Sequence, residues 1–145
     1  MPAADIPAPL VELTSTIIAG AIEVHRHIGP GLLESAYLKC LVLELAERGL
    51  ALEVERPLPL QYKNARIEPA YRVDLIVGRR VLVEVKAVER LAPIHVAQMI
   101  AYLRLSGCPV GLLINFNTSR LVDGIRRIVN AAMLPGGDTT SPAPR

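Results

Sequence analysis

From Leu10 to Ile28 the apolar residues Leu10, Leu13, Ile17, Ala21, Val24 and Ile28 recur at steps of three and four. That spacing is one face of an amphipathic helix. Gly29, Pro30 and Gly31 interrupt it. A second helix is predicted from Leu32 to Arg48, with Tyr37, Leu38, Leu41 and Leu45 on one side and Gly49 at its stop. From Ala51 to Tyr62 the pattern shortens to alternation, a strand that Pro57 and Pro59 push to an edge or a bend. Tyr71 to Val77 and Val81 to Val88 read as a hairpin joined by Gly78, Arg79 and Arg80. A helix from Pro93 to Leu105 follows, with Val96, Met99, Ile100 and Leu103 as its buried stripe. The nearly all-apolar run from Pro109 to Phe116 predicts a strand covered on both faces. A last amphipathic segment, Leu121 to Ala132, reads as a helix. The order predicts one α/β domain over residues 9–133: a mixed four-stranded sheet flanked by helices, with two helices at the N-terminus. Residues 1–8 are expected to be a flexible N-terminus and 134–145 a disordered tail.

Composition narrows the chemistry. Of 145 residues, 51% are hydrophobic, yet there are four Tyr, one Phe and no Trp. The core is therefore aliphatic, and the length suits one domain without a separate recognition module. With 21% charged residues and a formal charge of +2, the chain is neither a disordered polyelectrolyte nor a basic coat for nucleic acid. Any nucleic-acid partner has to be held locally. Cys40 and Cys108 lie far apart with no His or Cys at ligand spacing, which argues against structural zinc and a disulfide framework. No positively charged leader opens the sequence, and Thr16 to Val24 is too short to span a bilayer. A reduced, cytoplasmic protein without a membrane partner is expected.

The hairpin carries the candidate chemistry. A three-residue turn sets Val77 opposite Val81, and counting outward sets Asp74 opposite Glu84 and Arg72 opposite Lys86. These four share a face, leaving Val73, Leu75, Val83 and Val85 to the core. A two-residue turn would instead separate the carboxylates across the sheet. Such a face is commonly only the wet side of an antiparallel pair. Like charges directly opposed cost about 0.2–1 kcal/mol, however, and a hard divalent cation would relieve that. Lys86, two residues from Glu84, can point at the water or phosphate that the same cation holds.

Asp74 followed by Glu84-Val85-Lys86 resembles the motif of the PD-(D/E)XK nuclease superfamily, with its restriction-endonuclease-like fold. GPGLLESAY, carrying Gly31, Glu34 and Tyr37, is similar to the branch named for its GxxExxY signature. The resemblance extends through LVEVKAVERLAPIHVAQMIAYLRLSG, GLLINF and GIRRIV. It implies that Asp74 and Glu84 hold Mg²⁺ or Mn²⁺. Lys86 would orient or help deprotonate the attacking water and stabilise the pentacoordinate phosphate. Glu34 would be an additional helix-borne acid, and Gln98 and Tyr102 would match a QxxxY element near the substrate strand. Val73 stands where the superfamily name has proline.

Each residue also has a plainer reading. Glu34 suits the positive end of a helix, and Tyr37 a core position with a satisfied hydroxyl. Gln98 and Tyr102, one turn apart with His95 a turn earlier, suit a helix boundary as well as a binding flank. His95 reads as a surface histidine, and Tyr62, Tyr71 and Phe116 read as core. Two functions follow from different classes. One is a Mg²⁺- or Mn²⁺-dependent nuclease acting on DNA or RNA, with Lys86, Asp74, Glu84 and Glu34 in its site. The other is a non-catalytic module that keeps the fold and works through homo-oligomers or a partner protein.

Overall fold

The structure, a computed structural model, describes residues 6–134. The helix α1 spans Ala8–Ile28 and α2 spans Glu34–Glu47. The strands β1 (Leu52–Tyr62), β2 (Ala65–Val77) and β3 (Val81–Lys86) follow, then α3 (Pro93–Ser106), β4 (Val110–Asn115) and β5 (Ile125–Val129), with short 3-10 turns on either side of β5. The strands form one sheet in the order β1-β2-β3-β4-β5. Only β3 and β4 run parallel, as strands joined through a helix can. The α/β architecture, with a mixed sheet flanked by helices, is the layout expected of a restriction-endonuclease-like core.

The sheet has five strands among the described residues, not four. Ile125–Val129 is a strand rather than part of a helix, because β4 would otherwise leave a row of backbone groups unpaired. Its sequence, IRRIV, is largely β-branched, and so short an apolar run fits either period. β2 also starts earlier than its alternation suggests. Lys63 takes a left-handed φ of 53° at the turn before it, and Leu60 to Tyr62 then pairs with Ala65 to Ile67. The expected flexible segment 1–8 and disordered tail 134–145 lie largely outside the described residues. Ile6 and Leu134, at the two edges of the described chain, are buried in the core.

Two apolar clusters sandwich the sheet. On one face, α1 and α2 cover Leu75, Val77, Val81, Val83, Val85, Leu112 and Ile114. On the other, α3 brings Met99, Tyr102 and Leu103 onto Leu58, Val73, Ile76, Leu82 and Leu113. Gly111 lets the buried Met99 of α3 lie close on β4, since a Cβ there would meet the Met99 sulfur and force that side chain to shift. β3 and β4 are thus buried on both sides, and any polar group on them pays for its desolvation or is partnered.

Candidate active site

The β2–β3 turn puts Gly78 and Arg79 at φ 59° and 60°, a left-handed pair that matches the twist of a tight hairpin. It sets Val77 opposite Val81, Ile76 opposite Leu82 and Leu75 opposite Val83. The ladder ends there. At the next step side chains replace it: the Asp74 N–H donates to Glu84 Oε1 at 2.8 Å, and the Val85 N–H donates to Asp74 Oδ2 at 2.8 Å. The strand changes sides at the same point. Val73 packs under α3 with Ile76, instead of joining Leu75, Val83 and Val85 on the opposite face as alternation requires. Opposite, in β1, Glu55 holds a left-handed φ of 51°.

Glu84 is only 6% exposed, beside Leu113 of β4 and in line with Leu82. The face is therefore not a wet one, because α3 covers it. Burial first, and then the neighbouring Asp74, push the Glu84 carboxyl up to about 7. Asp74, half-buried, is raised mainly by burial, against the Val85 hydrogen bond and the Lys86 charge, which lower it. Among the described residues no hydrogen bond falls on Asp74 Oδ1 or Glu84 Oε2. Since no buried side-chain polar atom there lacks a partner, these two oxygens reach solvent.

Lys86, at the end of β3, donates from Nζ to Gln98 Oε1 at 3.3 Å. Glu34, exposed at the first turn of α2, accepts the Ala87 N–H at 3.4 Å. Its charge acts on both Asp74 and Glu84. Tyr102 is buried against Tyr71, with ring centroids 5.5 Å apart, and burial followed by the Glu84 charge raises its phenol. The structure therefore gathers Asp74, Glu84, Lys86, Gln98 and Glu34 around the end of β3, with Tyr102 packed behind them. His95 is not a free surface group: its Nδ1 accepts the Ala92 N–H at 2.9 Å, at the start of α3. Tyr62 and Tyr71 are 60% and 44% exposed, not core, because the β1–β2 hairpin runs beyond the helices that cover the sheet. Two surface depressions, about 220 and 580 Å³, flank α2 and include none of the gathered residues.

Two further residues support the site: Tyr37, expected in the core with a satisfied hydroxyl, and Asn115, absent from the sequence expectations. Tyr37 is fully buried and stacks on Phe116 at 4.6 Å. Its hydroxyl donates to the Gly29 carbonyl at 2.6 Å and accepts the Leu32 N–H at 3.1 Å. The Gly29–Leu32 loop that sets Glu34 is thus pinned. Asn115, 3% exposed, accepts the Val88 N–H and donates to the Val88 carbonyl, fixing the chain just after Lys86. A lone polar residue closing an apolar strand was its only trace in the sequence.

Two acidic side chains with one oxygen each in reach of solvent fit a hard cation, which takes carboxylate oxygens and completes its shell with water and phosphate. No group of three His, Cys, Asp or Glu residues in metal-holding proximity occurs among the described residues, so any cation here would depend on such outside ligands. No helix among them is long and apolar enough to cross a membrane. The family model of the PD-(D/E)XK nuclease superfamily matches residues 11–128. No curated protein and no solved structure matches the chain.

Proposed function

Since the chain belongs to the PD-(D/E)XK nuclease superfamily, we propose that it is a Mg²⁺- or Mn²⁺-dependent phosphodiester hydrolase of DNA or RNA, in the GxxExxY branch. The observation that carries this reading is the cross-braced pair: Asp74 and Glu84 each fix one oxygen on a backbone N–H and leave the other open. Asp74 and Glu84 would hold the cation, which when bound neutralises phosphate charge and acidifies water. Lys86, steadied by Gln98, offers an ammonium to a phosphate oxygen and to the charge that builds on it. Glu34 holds the backbone next to Lys86 and adds negative charge at the mouth. The signature residues Gly31, Glu34 and Tyr37 support the branch assignment, because the tyrosine holds Gly29 and Leu32, the loop that leads into the glutamate.

The test is cleavage of single-stranded, duplex and branched DNA and RNA with Mg²⁺ or Mn²⁺, set against Asp74→Ala and Lys86→Ala. Cleavage that needs the metal and vanishes in both variants is the expected result. Equal residual activity in wild type and the double variant overturns it. A protein that cleaves nothing and whose Mn²⁺ binding is indifferent to Asp74→Asn is instead the non-catalytic module. Dimers presenting two sites to two strands would appear by light scattering, and a monomer at every concentration excludes them.

A further inference from the structure

α2 begins without a cap. Its N-cap residue is Leu33, which makes no capping hydrogen bond, where Ser, Thr, Asp or Asn would stabilise the helix by about 0.5–2 kcal/mol. Leu33 is also 78% exposed, beside Leu32 at 48%. The loop is not slack, because the Tyr37 hydroxyl holds it at Gly29 and Leu32. A leucine at this position thus offends both helix capping and burial, and such breaches of local preference concentrate at working surfaces.

Its place explains the breach. Leu33 directly precedes Glu34, whose carboxylate bonds the Ala87 N–H. A further exposed aliphatic residue, Ile94 at 69%, lies in the first turn of α3. It shares a helix face with Gln98, four residues on, and Gln98 bonds the Lys86 ammonium. Two exposed aliphatic residues thus stand within one residue or one turn of groups tied to Lys86 and Ala87. Resting on the nuclease reading above, we infer that Leu33, with Ile94, contacts the bases next to the bound phosphate, and that the substrate is nucleic acid with unstacked bases, single-stranded or locally opened. Leucine and isoleucine are effective wedges against bases because the contact needs only apolar surface. In an intact duplex such a contact first has to unstack a base step, a cost that an already unstacked base does not carry.

Leu33→Ser separates the roles, since it supplies the missing cap while removing the apolar contact. Its melting temperature is expected to rise above wild type. Anisotropy of a short labelled oligonucleotide, with Ca²⁺ as the hard cation on the carboxylates and the strand checked intact on a gel, reads the binding. Wild type is expected to prefer the single strand to its duplex. Leu33→Ser should weaken single-strand binding about tenfold, the loss of one partly buried aliphatic contact, with duplex binding unchanged, and Ile94→Ser should lower it in the same sense. A 2-aminopurine placed in the strand should change its emission with wild type and not with Leu33→Ser. Equal single-strand affinity in wild type and Leu33→Ser overturns the inference, as does a wild type that prefers duplex or binds no oligonucleotide, the outcome expected if the leucines serve a protein partner. Binding through Leu33 without metal-dependent cleavage would overturn the proposed reaction and leave the base contact standing.

Discussion

Glu84→Gln tests the electrostatics of the site without any substrate. In the unfolded chain Glu84 loses its proton near its ordinary value of 4.5; in the native state burial and Asp74 hold that value at about 7. Between those limits the native state binds a proton that the unfolded state has released, so unfolding free energy falls as pH rises through the window. At about 1.4 kcal/mol per pH unit of displacement, Glu84 accounts for a loss of about 3 kcal/mol. Asp74 shifts in the same direction and adds to it. Glutamine keeps an acceptor for the Asp74 N–H and cannot ionise. Urea denaturation in EDTA, followed by far-UV circular dichroism from about pH 5 to about pH 8, measures the slope. Wild type should lose stability across the range, while Glu84→Gln loses less and exceeds wild type near pH 8, a gap in melting temperature on the order of 10 °C. Excess Mn²⁺ should flatten the wild-type profile, because a bound cation favours the ionised pair. Wild-type stability that is level or rises toward pH 8 in EDTA, or an unchanged slope in Glu84→Gln, would refute the reasoning.

Three further outcomes follow from the supports. Tyr37→Phe leaves the Gly29 carbonyl and the Leu32 N–H without their partner; chemical denaturation should show a loss of about 1–3 kcal/mol, and cleavage should fall while calorimetric Mn²⁺ affinity holds. Asn115→Ala takes the partner from the Val88 N–H and leaves the Val88 carbonyl only the long bond from the Asn117 amide at 3.5 Å, with a loss of about 1–3 kcal/mol and faster amide exchange at Val88. Gly124→Ala drives a Cβ into the Asn115 carbonyl, and the strain should lower stability by about 1–3 kcal/mol in a thermal melt.

Most of this architecture was legible because its core is built from long, clean periods. The stripes of α1 and α2 each left one arrangement open, and the apolar run from Pro109 to Phe116 is as long as a buried strand and too short for a buried helix. The register of the hairpin was legible only as one of two turn lengths, and the left-handed pair at Gly78 and Arg79 decides it by setting Val77 opposite Val81. Ile125–Val129 was not, because five residues cannot distinguish a helix face from an edge strand whose partner is distant in sequence. Nor was the side change at Asp74, where side-chain to backbone bonds replace the ladder and carry Val73 to the other face. Alternation assumes a regular strand, and the site is where the strand stops being regular. His95 and Asn115 escaped for a related reason: their partners are backbone groups of Ala92 and Val88, which leave no mark in side-chain chemistry.

The chain has no tryptophan and four tyrosines, and their placement gives the protein an optical channel of its own. Tyr71 lies ring to ring with Tyr102, which is close enough to Glu84 for that charge to act on its phenol. Tyr37 is stacked on Phe116 beneath the loop that carries Glu34, and Tyr62 stands apart on the outer hairpin, with the Lys63 ammonium over its ring. Three of the four emitters therefore sense the gathered acids or their scaffold. A change of charge on those carboxylates, by proton or by cation, should register in the unlabelled ultraviolet emission of the protein.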